Sequence, residues 1–67
     1  MQPGEIWRET IEPRTVALVL QVIEVPIFSV DGHVDTTQHV NFLSVNGLTE
    51  VPIHWCYNFM ERIDEAR

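Results

Sequence analysis

Lysine is missing from this 67-residue chain, and its basic charge rests on four arginines, Arg8, Arg14, Arg62 and Arg67. Nucleic-acid binding takes most of its affinity from lysine and arginine side chains that neutralise phosphates. Four scattered arginines among ten carboxylates make no basic stripe, so nucleic acid is not an expected partner. An anionic membrane surface is disfavoured for the same reason. Cysteine occurs once, at Cys56, which rules out an internal disulfide framework and a cysteine-built zinc site. Long apolar runs are also lacking. The longest, Val16 to Ile23, is interrupted by Gln21 and falls well short of the ~20 residues a membrane helix needs. The opening residues carry Glu5 and Glu9 in place of a basic stretch followed by an apolar one, so no signal peptide is expected. With the single free thiol, this points to a cytoplasmic protein.

What is present fits one small globular domain over residues 1–67. Hydrophobic residues make up 45% and charged residues 21%, a balance that argues against disorder. A chain this short buries only about 60% of the surface it exposes when unfolded, so the core must be thin. The formal charge is −6 with histidines neutral. Such acidity keeps a small domain soluble, and it also steers the molecule toward a basic protein partner.

Turn chemistry divides the chain. Pro3-Gly4 opens it, Glu12-Pro13-Arg14 breaks it, Asp31-Gly32 and Asn46-Gly47 punctuate the middle, and Pro52 marks a late bend. The segments between are rich in Val, Ile, Leu and Thr, which favour a pleated surface. Thr15 to Val25 reads as the longest strand, with Val16, Leu18, Leu20 and Val22 on one side and Ala17, Val19 and Ile23 on the other. A strand apolar on both faces belongs at the centre of a fold. Pro26 is expected to end or bend it, with Ile27 to Val30 running into the Asp31-Gly32 turn. Thr36-Thr37-Gln38 are expected to loop before a strand over Gln38 to Val45, with Val40 and Phe42 facing opposite to Leu43 and Val45. Asn46-Gly47 then joins this strand to Leu48–Ile53 as a hairpin. His54 to Phe59 is expected to form a turn of helix, Phe59 to Ile63 a short closing strand, and Asp64 to Arg67 a solvated tail. The alternative is an α+β arrangement, an antiparallel sheet with one C-terminal helix over Ile53 to Ala66, because Trp55, Phe59 and Ile63 would share a helical stripe.

Three motifs carry a family resemblance. They are the opening Pro3-Gly4-Glu5-Ile6-Trp7-Arg8, the long apolar strand Val16 to Val25, and the ending Phe59-Met60-Glu61-Arg62-Ile63. In this order the chain resembles the small SH3-like barrels common among short bacterial, phage and plasmid proteins of unknown function. The resemblance implies an all-β, five-stranded SH3-like barrel with a short helical turn before the last strand. It transfers no activity, because fold alone does not imply function. It is compatible with an accessory protein of a phage or mobile element.

Few residues offer chemistry. Asp31, His33, Asp35 and His39 form the one cluster of metal-ligand type, and His33, Asp35 and His39 would suit zinc or another divalent transition ion. The competing account is a solvated hairpin in which Asp31 serves the turn. His54 and Cys56 flank Trp55, and a thiol beside a histidine can be a nucleophile. No third orienting group accompanies them, and a cysteine among Trp55, Tyr57 and Phe59 reads as a small buried hydrophobe. Phosphate loops, serine elbows and dinucleotide fingerprints are absent from the sequence, so no enzyme and no cofactor is expected. The expected function is a non-enzymatic protein-interaction module that uses exposed residues of the Asp31–His39 stretch together with Trp55 and Tyr57. The alternatives are a metal-binding protein using His33, Asp35 and His39, or a structural subunit of a homo-oligomer. A homodimer is favoured because the central strand has a spare apolar face, expected at Val19, and because Ile27–Val30 offers an exposed edge.

Overall fold

The structure, a computed structural model, describes residues 1–64. It contains five strands and one helix: β1 (Ile6–Glu9), β2 (Val16–Phe28), β3 (Val34–Ser44), β4 (Gly47–Pro52), α1 (Ile53–Phe59) and β5 (Met60–Arg62). The strands form one antiparallel sheet in the order β4-β3-β2-β1-β5. Among the described residues no ladder joins β4 to β5, so the sheet is not closed. The expected tail begins at Asp64, and residues 65–67 lie outside the described residues.

The central strand is the long apolar one, as the sequence suggests, but its two faces divide differently. Val19 pairs with Phe42 and Gln21 with Asn41, leaving Leu20 as an extra residue in a β-bulge. An extra residue resets the alternation of side chains. Ala17 and Val19 are buried, and beyond the bulge Val22 joins them on the core face, opposite Val40. Val19 is 1% exposed and lies in the core, so the spare face is the one bearing Leu18 and Leu20. The core consists of Trp7, Ala17, Val19, Val40, Phe42, Cys56 and Met60. It lies on one side of the sheet, where α1 packs.

Two expected interruptions are instead continuous strand. Pro26 pairs with Thr36 inside β2, and Thr36, Thr37 and Gln38 belong to β3. The ladder explains why proline is tolerated there. The Ser29 amide donates to the His33 carbonyl, 3.0 Å. Counting back with the antiparallel alternation, Pro26 occupies a position whose nitrogen points away from β3. Its outer neighbour β1 pairs only with Val16 to Leu18, so that side is an open edge and no ladder bond is lost. With neither β1 nor β4 beside them, residues 24–38 form a two-stranded arm, and the molecule is 45 Å along its longest axis against 24 and 21 Å across.

The turns follow from their glycines. The β3–β4 loop is Val45-Asn46, one residue earlier than the Asn-Gly pair implies, and Gly47 follows at φ 101° as the first residue of β4. The helix starts directly after Pro52 and stops at Met60, whose backbone is extended (φ −133°, ψ 160°). Met60 is buried and pairs with Glu9, so ladder formation with β1 ends the helix and the long C-terminal helix does not form. Ile63 extends this ladder by donating its amide to the Ile6 carbonyl, 2.9 Å.

Candidate functional site

The arm tip is a capped turn. Asp31 Oδ1 accepts hydrogen bonds from the Ser29 hydroxyl and from the His33 amide, the latter at 3.0 Å. These bonds, the Ser29 hydroxyl foremost, hold the Asp31 carboxyl below its ordinary range. Asp35 Oδ1 accepts from the Thr36 amide, 2.8 Å. His39 lies farther down β3, and its Nδ1 is 2.7 Å from Glu50 Oε2 on β4. His33 and His39 are separated by about 20 Å of extended chain. Asp31, His33 and Asp35 thus stand on the outer part of the arm, and His39 lies beyond its base where β4 pairs with β3. Among the described residues no group of three or more His, Cys, Asp or Glu comes together.

Trp55 and Tyr57 are also parted. On a strand they would share a side, but on α1 two residues turn the chain through roughly 200°. Trp55 is half-buried and packs against Phe59 with ring centroids 5.2 Å apart. Tyr57 points the other way, edge-on to Trp7 at 5.8 Å, and its hydroxyl accepts a hydrogen bond from the Met1 amino group, 3.1 Å. Between them Cys56 is fully buried and its thiol donates weakly to the Pro52 carbonyl, 3.6 Å. Burial pushes the thiol up to about 11, so it stays protonated at neutral pH.

Trp55 borders a concavity on the core side of the sheet. Where β4 and β5 are not paired, a groove of about 390 Å³ opens over Ala17, Phe42, Trp55 and Met60. Among the described residues, Glu9 and Glu50 are the only charged ones that line it. Glu9 is fixed there, because its Oε1 accepts the Thr15 amide at 2.9 Å and so ties β1 to the start of β2. The volume lies within the range of ordinary ligand-binding clefts. A small polar cluster braces β1 and β5 at the opposite end of β1. The Trp7 indole donates to Glu5 Oε1 at 2.9 Å, and Arg62 lies 3.5 Å from Glu5 Oε2. The indole first, then a backbone hydrogen bond from Gln2 and the charge of Arg62, keep the Glu5 carboxyl below its usual value.

The other side of the sheet carries an aliphatic row. Ile6, Leu18, Leu43 and Leu48 stand opposite one another across β1, β2, β3 and β4. Leu43 is 44% exposed and Leu48 74%. Val16 and Leu20 flank them, also exposed. At the arm tip Phe28, Val30 and Val34 are exposed as well.

Glu9, Met60 and this row are sites that sequence reasoning missed. Glu9 and Met60 become neighbours only through the β1–β5 ladder. The row depends on the register of three ladders and on the bulge. Comparison with known protein families, with curated proteins and with solved structures finds no match. None of the described helices is long and apolar enough to cross a membrane.

Proposed function

We propose that this chain is a non-enzymatic, SH3-like docking module that receives an extended, basic segment of a protein partner in the groove beside Trp55. Five antiparallel strands with a seven-residue helix directly before the last support the barrel reading. The single observation that carries the function is the groove itself. Its floor is apolar and aromatic, its charged rim is acidic, and among the described residues no arginine lines it. Extended segments bind such grooves by laying apolar side chains against rings while charges at the rim set orientation and encounter rate. The net charge of −6 acts in the same direction over longer range. A buried, protonated Cys56 and the lack, among the described residues, of any cluster of three or more His, Cys, Asp or Glu favour docking over catalysis.

Tryptophan fluorescence tests this directly, since Trp7 is buried and Trp55 borders the groove. Titration with extended peptides containing arginine and proline is expected to give saturable quenching or a spectral shift that weakens with added salt. Glu9→Gln and Trp55→Ala are each expected to weaken binding about tenfold or more, in line with central anchors of an interface. Equal binding of charge-reversed peptides, or no saturable signal with basic ones, overturns the reading.

A further inference from the structure

We propose that the aliphatic row on the face opposite the groove is a self-association surface, covered by a second copy of this chain. The row is built by register: Ile6, Leu18, Leu43 and Leu48 are cross-strand partners on four successive strands. Strands lie about 4.8 Å apart, so the row runs for roughly 15 Å. Leu20, held out by the bulge, and Val16 widen it on the central strand, and Val45 widens it at the β3–β4 turn. Beside it lies a depression of about 390 Å³ lined by Leu20, Gln21, Asn41, Leu48, Thr49 and Glu50. The face therefore offers both projecting leucines and a hollow able to take one, which is what a two-fold, self-complementary contact requires.

Charge selects the occupant. In a chain of −6, two carboxylates stand beside this row among the described residues, Glu61 on β5 and Glu50 at the hollow, and both have partners. Glu61 pairs with Arg8, and Glu50 meets His39. A second acidic copy thus approaches this row without facing an unpaired carboxylate, whereas a basic partner that meets Glu50 from the groove side finds Glu9 there as well. Area agrees. At their exposures Val16, Leu20, Leu43, Val45 and Leu48 supply roughly 500 Å² of mostly apolar surface, less than the about 800 Å² per partner of a standard interface and in keeping with a weak, concentration-dependent dimer. Gln21 and Asn41 at one margin add to this and form part of a polar rim. The open edge of β2 is not the contact, because Pro26 removes a donor from it. The two sites open on opposite faces of one sheet and share only Thr49 and Glu50 on β4.

Sedimentation equilibrium or light scattering across micromolar to millimolar protein measures this. The expected result is a mass approaching twice 7.8 kDa as concentration rises. Leu48→Glu and Leu43→Glu are expected to hold the protein at monomer mass, and Phe28→Glu at the arm tip to leave dimerisation unchanged. Concentration-dependent methyl chemical shifts in the unmodified protein supply a readout free of any folding defect, expected at Leu18, Leu43 and Leu48 and not at the core methyls of Val40 and Met60. A monomer mass at every concentration overturns the proposal. So does a dimer lost in Phe28→Glu but kept in Leu48→Glu, which assigns the contact to the arm.

Discussion

Replacing Val40 by alanine separates the buried base of the β2–β3 hairpin from its projecting arm. Val40 is 0% exposed, at the centre of β3 between Val22 and Val51. Removing two methyl-sized groups forfeits about 1.6 kcal/mol of transfer free energy at about 0.8 kcal/mol each. A residual cavity of roughly 50 Å³ adds about 1 kcal/mol at about 24 cal/mol per Å³. The expected loss is therefore roughly 2.5 kcal/mol, large for a domain whose core rarely supplies more than about 3–5 kcal/mol. At 4–8 °C per kcal/mol, Tm falls by roughly 10–20 °C. Phe42→Ala is a poorer choice, because a loss of about 3–5 kcal/mol would leave no folded state to measure. The control is Val34→Ala, the same chemical change on the same strand at a site 55% exposed on the arm. It is expected to cost no more than about 1 kcal/mol, set by strand propensity alone. Thermal melts followed by circular dichroism read both. Equal drops in Tm would refute the division of this hairpin into buried base and exposed arm.

Cys56 supplies a pH prediction. Its folded value, about 11, lies above the ordinary 9.0, so burial stabilises the protonated thiol. That contribution is complete below pH 9 and is lost as pH rises through about 11, because the unfolded chain releases the proton first. Denaturant midpoints measured from pH 8 to 11 are expected to fall in the wild type and to fall less in Cys56→Ala, and a thiol reagent at pH 8 is expected to react only after unfolding. Pro26→Val supplies an edge prediction: it restores an N–H on an open strand edge, and turbidity or thioflavin T signal on long incubation is expected to rise with little change in Tm. An unchanged aggregation rate would show that this edge is covered by something else.

Much of the architecture was legible because it depends on local signals. The Val16–Val25 run, the glycine turns and the aromatic-rich segment after Pro52 each announce their element within a few residues, and strand alternation over Val40, Phe42 and Leu43 sorts core from surface correctly. What was not legible depends on pairing. Pro26 breaks a strand only if its nitrogen faces a partner, and which way it faces follows from the turn at Ser29–His33 and from how far β1 reaches. Thr36, Thr37 and Gln38 read as loop residues in isolation, yet the facing segment of β2 gives their backbone groups partners. The bulge at Leu20 leaves no mark in composition. It shifts Val22 to the core face, so counting by twos from Val16 fails beyond it.

The candidate site illustrates the same limit from the side of chemistry. Residue types select Asp31, His33, Asp35 and His39, but a site needs convergence, and a straight two-stranded arm spreads side chains at about 3.3 Å per residue instead of gathering them. The same ladders that disperse those groups assemble the groove and the aliphatic row from residues with no individual signature: Glu9, Met60, Leu43, Leu48. The sheet then keeps them apart. Its core face is committed to Trp7, Val40, Phe42 and the helix, leaving a groove only where β4 and β5 fail to pair, while its outer face stays apolar without a core to cover it. A partner held by acidic rim and rings, and a second copy held by leucines, therefore place opposite demands on salt: raising ionic strength weakens the first by screening and leaves the second intact or stronger. Measuring peptide binding and mass at two salt concentrations distinguishes the two surfaces in one protein preparation.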